Sequence, residues 1–285
     1  MSEPDSRGAT LPPWRFFDVT VGAIRRLSPT FARMTVTGPD LDRFADLGLD
    51  ARVKVVLPDP SGGYVHLPRE GDWYPRWRQL PKAARNPLRT YTTRCVRPDR
   101  AEVDIDIVLH GQGDGAATSG WVHRTEVGQA LVLLGPDAES TRPHGGVEFV
   151  APGPDERLIL VGDETAVPAI ANIVSLLPAQ TSGEVWLEVP DERDVDMVDA
   201  SQQLAVSWMV RGDRPHGERL LGALREHSAR GPTVTPRGAP PAARAGVAGE
   251  AGRVRSVRRH LIQDRRVARS DITFMGYWKR GCVGG

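Results

Sequence analysis

Two patterns of hydrophobic spacing divide the chain. In residues 16–134, apolar and polar positions alternate at 17–21 and 31–37, and further short strand-like runs follow at 53–57, 89–96, 102–109 and 130–134. Turn formers separate them: Ser28-Pro29 before the second run, Pro58, Pro60, Gly62 and Gly63 after the third, and Gly135-Pro136 after the sixth. Alternation with a period of two marks a half-buried strand. Six such strands, with no strong helix among the first five, predict a small closed antiparallel barrel. Between Pro58 and Pro87 lies a long segment carrying Trp73, Tyr74 and Trp77. It reads either as a lid over a site or as a surface excursion with its own aromatic cluster.

After Gly153-Pro154 the spacing changes. Residues 157–161 are nearly all apolar, as in a strand buried on both faces. Pro168 then opens a helical pattern through Ile170, Ile173, Val174 and Leu177, in keeping with proline's place in a first helical turn. Strands at 184–189, 204–210 and 272–278 alternate with helices at 218–226 and 250–267, which predicts a doubly wound parallel sheet. One strand is inferred from topology alone. It should end near Val247-Ala248, although Ala243-Arg244-Ala245-Gly246 is weak β material.

Composition narrows the function classes. The 285 residues carry 37 Lys and Arg against 36 Asp and Glu, a net charge of +1, which gives no basic face for nucleic acid. Cys95 and Cys282 lie far apart and read as free thiols, too few for an iron–sulfur cluster or structural zinc. The first residues lack the pattern of a secretory signal, and no stretch has the length of a membrane span. The expectation is a soluble, cytoplasmic monomer with no membrane insertion.

Candidate chemistry concentrates in a few stretches. Arg89-x-Tyr91-Thr92 puts a cation and a ring on one face of a strand and a hydroxyl on the other. That suits a flavin's pyrophosphate, ring and N5, although ordinary strand packing explains such a pattern equally well. His110-Gly111 begins a small-residue loop running past Ala117 and Thr118 to Trp121, suited to phosphate contact or to a plain turn. Gly162-Asp163-Glu164-Thr165-Ala166 stands at the carboxyl end of the first parallel strand, where such sheets bind ligands; helix capping is the alternative. Gly249-Glu250 holds the equivalent place after the inferred strand, and Tyr277-Trp278-Lys279-Arg280 closes the last one.

Arg89-Thr90-Tyr91-Thr92-Thr93-Arg94, Asp104-x-Asp106-x-Val108-x-His110-Gly111, the 162–170 block, Ala248-Gly249-Glu250-Ala251 and Gly276-Tyr277-Trp278-Lys279-x-Gly281 together resemble the siderophore-interacting proteins. These are ferredoxin-reductase-like, flavin-dependent reductases of ferric siderophores. The resemblance implies an FAD-binding six-stranded barrel at 14–138, a linker at 139–154 and an NAD(P)H-binding α/β domain at 155–285. It implies that Arg89, Tyr91, Thr92, Thr93, Val108, His110, Gly111, Ala117 and Thr118 hold FAD. Asp163, Glu164, Thr165, Ala166, Glu250 and Trp278 would form the nicotinamide side, with Lys54, Lys279 and Arg280 facing the ferric siderophore. The iron is held by the siderophore, and no protein metal site or catalytic acid–base residue is implied. The family's Gly-Pro-Ala-Ser-x-Trp loop is altered here at 115–121, and its aromatic strand before Ala-Gly-Glu is replaced by Ala245-Gly246-Val247. Asp191 and Glu192 after the second parallel strand favour NADH, while the neighbouring Arg193 suits the 2′-phosphate of NADPH. The alternatives are ferredoxin as donor, docked on the arginine-rich last helix, and a siderophore-binding protein without turnover.

Overall fold

A computed structural model describes residues 11–59, 62–109, 120–229 and 242–281. Strands β1 (Trp14–Arg26), β2 (Phe31–Thr37), β3 (Arg52–Val56), β4 (Leu88–Arg97), β5 (Glu102–Val108) and β6 (Ala130–Pro136) close into an antiparallel barrel. Their order is β1-β2-β5-β4-β3-β6. A bulge between Val21 and Ala23 bends the long β1 so that its two ends pair with different neighbours. Alternate residues fill the interior, among them Phe17, Val19, Met34, Val53, Val55, Ile105, Leu131 and Leu133.

The outer wall at β6 breaks this alternation, because Val132 and Leu134 are buried as well. They lie under the segment at 62–88, which folds a short helix α1 (Trp73–Gln79) against them. This segment is a second layer, its Leu67, Trp77 and Leu88 packed with Val56, Val132 and Leu134 of the barrel. Asn86 anchors it from a fully buried position, donating to the carbonyls of Leu57 (2.9 Å) and Gly63 (2.7 Å). The Trp77 indole donates to the Asn86 carbonyl at 3.0 Å. The excursion and its aromatic cluster are therefore one packed unit.

The second half builds β7 (Arg157–Asp163), α2 (Val167–Leu176), β8 (Gly183–Val189), β9 (Leu204–Val210), α3 (Glu218–Ala229), β10 (Ala243–Glu250), α4 (Ala251–Gln263) and β11 (Ile272–Trp278). The sheet is parallel throughout, in the order β11-β10-β7-β8-β9. Closed barrel and parallel sheet are the two parts that the ferredoxin-reductase-like resemblance implies. On β7, Leu158 and Leu160 pack towards α2, while Ile159 and Val161 pack towards α3 and α4. The weak-propensity strand forms in full as β10, paired on both sides by β7 and β11. Smallness is what its place demands: a Cβ on Gly246 would come within 2.9 Å of the Leu160 side chain.

The two halves share a core and a buried latch. Phe31 and Val108 of the barrel belong to the apolar cluster around α2. Asp194, fully buried after β8, accepts from Ser28 Oγ (2.6 Å) and from the Thr30 amide (3.1 Å) and hydroxyl. Asn172 on α2 donates to the Thr93 carbonyl (2.7 Å) and accepts from Arg94 (2.8 Å).

At the carboxyl end of the sheet lies an ionic cluster. Arg211 meets both oxygens of Glu164 at 2.9 Å and lies 3.5 Å from Glu188. His216 Nε2 lies 3.3 Å from Asp163 and 3.5 Å from Glu164, near enough for charge pairing without a well-aimed hydrogen bond. Burial alone would lower the histidine's pKa, but the two carboxylates hold it up at about 9. Burial likewise opposes the charged form of Glu164, yet His216 and Arg211 win and hold it at about 2.

Two predictions follow from these contacts. Asp194→Ala strands the donors of Ser28 and Thr30 and should lower stability by about 2–4 kcal/mol in denaturant titration. The second concerns pH. A histidine raised from 6.5 to about 9 stabilises fully below pH 6.5, and this contribution fades as pH rises through 9. Its full size is about 3 kcal/mol or less. Thermal melts of the wild type should therefore lose more between pH 6.5 and 9 than those of His216→Gln; parallel curves would refute the pairing.

Candidate active site

Where the barrel meets the sheet there is a cavity of about 760 Å³. Its barrel side follows from strand register. Arg52 faces Thr92 and Lys54 faces Thr90 across β3 and β4, so these four side chains share the outer face. The Lys54 ammonium donates to the Thr90 hydroxyl at 3.0 Å. Arg89 and Tyr91, opposite Val55 and Val53, fall on the other face, as the strand spacing predicts. The Tyr91 hydroxyl accepts from the Trp121 indole at 3.0 Å, and its ring still reaches the cavity.

The opposite wall comes from the sheet. Met275, Gly276, Tyr277 and Trp278 at the end of β11 line it, with Thr165 ahead of α2 and Pro168 in its first turn. Trp278 is held by a bond from its indole nitrogen to Asp163 Oδ2 at 3.2 Å. The same oxygen accepts from the Glu250 amide at 2.7 Å, while Oδ1 accepts from the Thr165 amide at 2.9 Å. Gly249 makes this possible. Its φ is +136°, and a Cβ there would stand 2.3 Å from Asp163 Oδ2.

The structure therefore gathers Tyr91, Thr92, Val108, Lys54, Thr165 and Trp278 around one cavity. Other candidates stand behind it or at its margin. Asp163 and Glu164 are buried within the ionic cluster, and Ala166 is wholly in the core. Glu250 caps α4, accepting from the Arg253 amide at 2.8 Å. Thr93 is buried at the contact with α2, and Arg89 is half-buried with one N–H on the Leu88 carbonyl at 3.0 Å. Lys279 and Arg280 are exposed just past Trp278. His110, Gly111, Ala117 and Thr118 lie outside the described residues.

Sequence reasoning passed over Arg211, His216 and Arg52. Arg211 stands directly after β9, at the same carboxyl edge as Asp163, and that position was its signal. Arg52 was legible from Lys54, since residues two apart on a strand share a face.

Electrostatically the site favours bound anions. Burial, with Arg52 beside it, pushes the Lys54 ammonium below its usual pKa, so a nearby negative charge would relieve it. Burial raises Tyr91 to about 12, against the lowering effect of its Trp121 bond, and also raises Tyr277. Both phenols stay protonated at neutral pH. Among the lining carboxylates, Asp106 is taken by Arg33 at 2.7 and 2.8 Å. The Asp163–Glu164–His216 group has cation-binding spacing, but Arg211 already occupies both oxygens of Glu164. Aromatic faces, hydroxyls and cations suit the site to binding and orienting a flat, negatively charged partner.

Comparison with known proteins agrees with this architecture. Residues 20–140 match the siderophore-interacting FAD-binding domain, and residues 155–281 match the siderophore-interacting protein model. The ferric vibriobactin reductase of Vibrio cholerae is 34% identical over 258 residues, covering 90% of this chain and 86% of that protein. An NADPH-dependent ferric-chelate reductase of Escherichia coli is 26% identical, over 72% of this chain and 76% of its own. The crystal structure of a siderophore utilization protein from T. fusca superposes with a TM-score of 0.74 at 26% identity, covering 96% of each chain. The chain belongs to the siderophore-interacting protein family.

Proposed function

We propose that this chain reduces ferric siderophores, with bound FAD supplying the chemistry: hydride acceptance from NADH or NADPH and single-electron delivery to chelated Fe(III), released as Fe(II). One observation carries the reading. A single cavity is bounded by the Tyr91–Thr92 edge of the barrel, by Thr165 and Trp278 at the carboxyl end of the parallel sheet, and by the Lys54 cation. Its volume of about 760 Å³ lies in the range of cofactor pockets.

The residues fit a flavin. Tyr91 offers a ring, Thr92 a hydroxyl and Arg89 a guanidinium for the pyrophosphate, with Thr93 and Val108 supporting the same edge. The loop bearing His110, Gly111, Ala117 and Thr118 is assigned to the ribityl and phosphates on sequence alone. Thr165, Ala166 and Trp278 face or back the nicotinamide, and Asp163, Glu164 and Glu250 hold that wall in place. Lys54 draws the anionic chelate, joined by Lys279 and Arg280. FAD is assigned to 14–138 and NAD(P)H to 155–285, with 139–154 joining them.

NADH is the preferred donor in this reading. Arg193 is held by Asp191 through two bonds of 2.9 and 2.8 Å, and a 2′-phosphate would have to pull it away. Ferredoxin is the second reading, supported by the exposed Arg255, Arg259 and Arg266 on and after α4. No helix among the described residues is long and apolar enough to cross a membrane. A cytoplasmic monomer remains part of the proposal.

The flavin assignment is checked by Arg89→Ala, which should leave the purified protein largely colourless; unchanged FAD content would remove Arg89 from the site. Stopped-flow reduction should run faster with NADH than with NADPH, and a large NADPH advantage would reverse the preference. Slow reduction by both nucleotides, with salt-sensitive turnover on ferredoxin, would favour the second reading.

A further inference from the structure

The cavity extends well beyond the Tyr91–Thr92 edge. Its floor is one row of cross-strand neighbours: Phe16 opposite Leu134, Leu134 opposite Lys54, and Lys54 opposite Thr90. Three strand spacings of about 4.8 Å place Phe16 roughly 14 Å from β4. At that far end Trp73 stands edge-on to Phe16, with ring centroids 5.3 Å apart and planes at 80°. The Trp14 indole donates to the His144 carbonyl at 2.6 Å, which fixes a third ring beside them. All three rings are half-buried and line the cavity. The lining also includes the exposed Asp72 and Arg69, the latter held through Nη1 by both oxygens of Asp18 at 2.8 and 2.7 Å.

A fixed aromatic wall gains most from a flat aromatic guest, by edge-on or offset contact, and a nearby guanidinium adds attraction for anionic oxygens on that guest. We propose that the Phe16–Trp73 end of the cavity is an aryl subsite: a ferric chelate built from ring-bearing ligands, catecholate or aryl hydroxamate, lays one ring against Trp73 and Phe16. Arg69 meets the anionic oxygens when the ligand is a catecholate. The subsite rests on the ferric-chelate reading above and adds the ligand class that the site selects. Because Fe(III) is wrapped by oxygen donors in either class, the carbon framework behind them is what the protein can distinguish. Lys54 senses charge from the floor, whereas Trp73 senses the ring.

Gallium(III) complexes test this without electron transfer, since gallium(III) is not reduced under these conditions. Isothermal titration of the FAD-loaded protein would compare three complexes: 2,3-dihydroxybenzoate (ring, anionic), benzohydroxamate (ring, neutral) and acetohydroxamate (no ring, neutral). The wild type should bind the benzohydroxamate complex about tenfold tighter than the acetohydroxamate complex. Trp73→Ala should erase most of that preference, and Arg69→Gln should weaken only the dihydroxybenzoate complex, by about threefold. Equal wild-type affinity for the two hydroxamates, or equal losses for both in Trp73→Ala, overturns the subsite. Should Trp73→Ala fail to fold, the wild-type preference and the exposed-site variant Arg69→Gln decide the matter. If the ring-bearing complexes bind as expected but their iron(III) counterparts are not reduced by nucleotide and FAD, the reductase reading falls and the subsite stands.

Discussion

Asp163 is the carboxylate on which the sheet side of the cavity depends. It ends the central strand β7, is almost wholly buried, and engages four separate stretches of the chain. Its oxygens receive the amides of Thr165 and Glu250 and the indole of Trp278, and His216 stands within ionic reach. A buried charge with this many partners is strongly directional, because every donor left unpaired would carry a desolvation cost. The positions of α2, α4 and the last strand are thereby set against one another by a group behind the cavity surface. Trp278, which lines the cavity, owes its orientation to a residue that does not.

The barrel and the sheet were legible because their residues obey simple periods. Val53 and Val55 point inward and Arg52 and Lys54 outward, as two-residue alternation requires. The chemistry of Tyr91, Thr92 and Trp278 was visible as motifs whose order matched a two-domain plan. What escaped is non-local. The position of Arg211 after β9 places it at the carboxyl edge, but the sequence does not pair it with Glu164, 47 positions away. Glu164 itself read as a wall residue, although its burial and its arginine place it behind the wall. Propensity also misled at 243–248, where packing room outweighed intrinsic preference. At Gly246, beneath Phe149 and Leu160, a Cβ would press on the Leu160 side chain.

The two halves are joined as firmly as a single core would join them. Asp194 reaches across to Ser28 and Thr30, Asn172 to Thr93 and Arg94, and Asp50 receives the amides of Glu148 and Phe149 on the connecting segment. Each is a buried or half-buried polar bond whose rupture would expose an unpaired group. The cavity thus lies between two walls that are bonded to each other behind it.

The layer at 62–88 gives this a further meaning. Trp73 reaches the cavity from a segment pinned by a fully buried asparagine and by a tryptophan sealed beneath it, so the wall it forms is already ordered. A hinged flap would spend conformational entropy on closing and could remould itself around guests of many shapes. A wall ordered in advance spends none, and it cannot widen for a guest that is too broad. Guests would then be selected at this wall by size as well as by contact, and one too broad for it would be turned away at the rim.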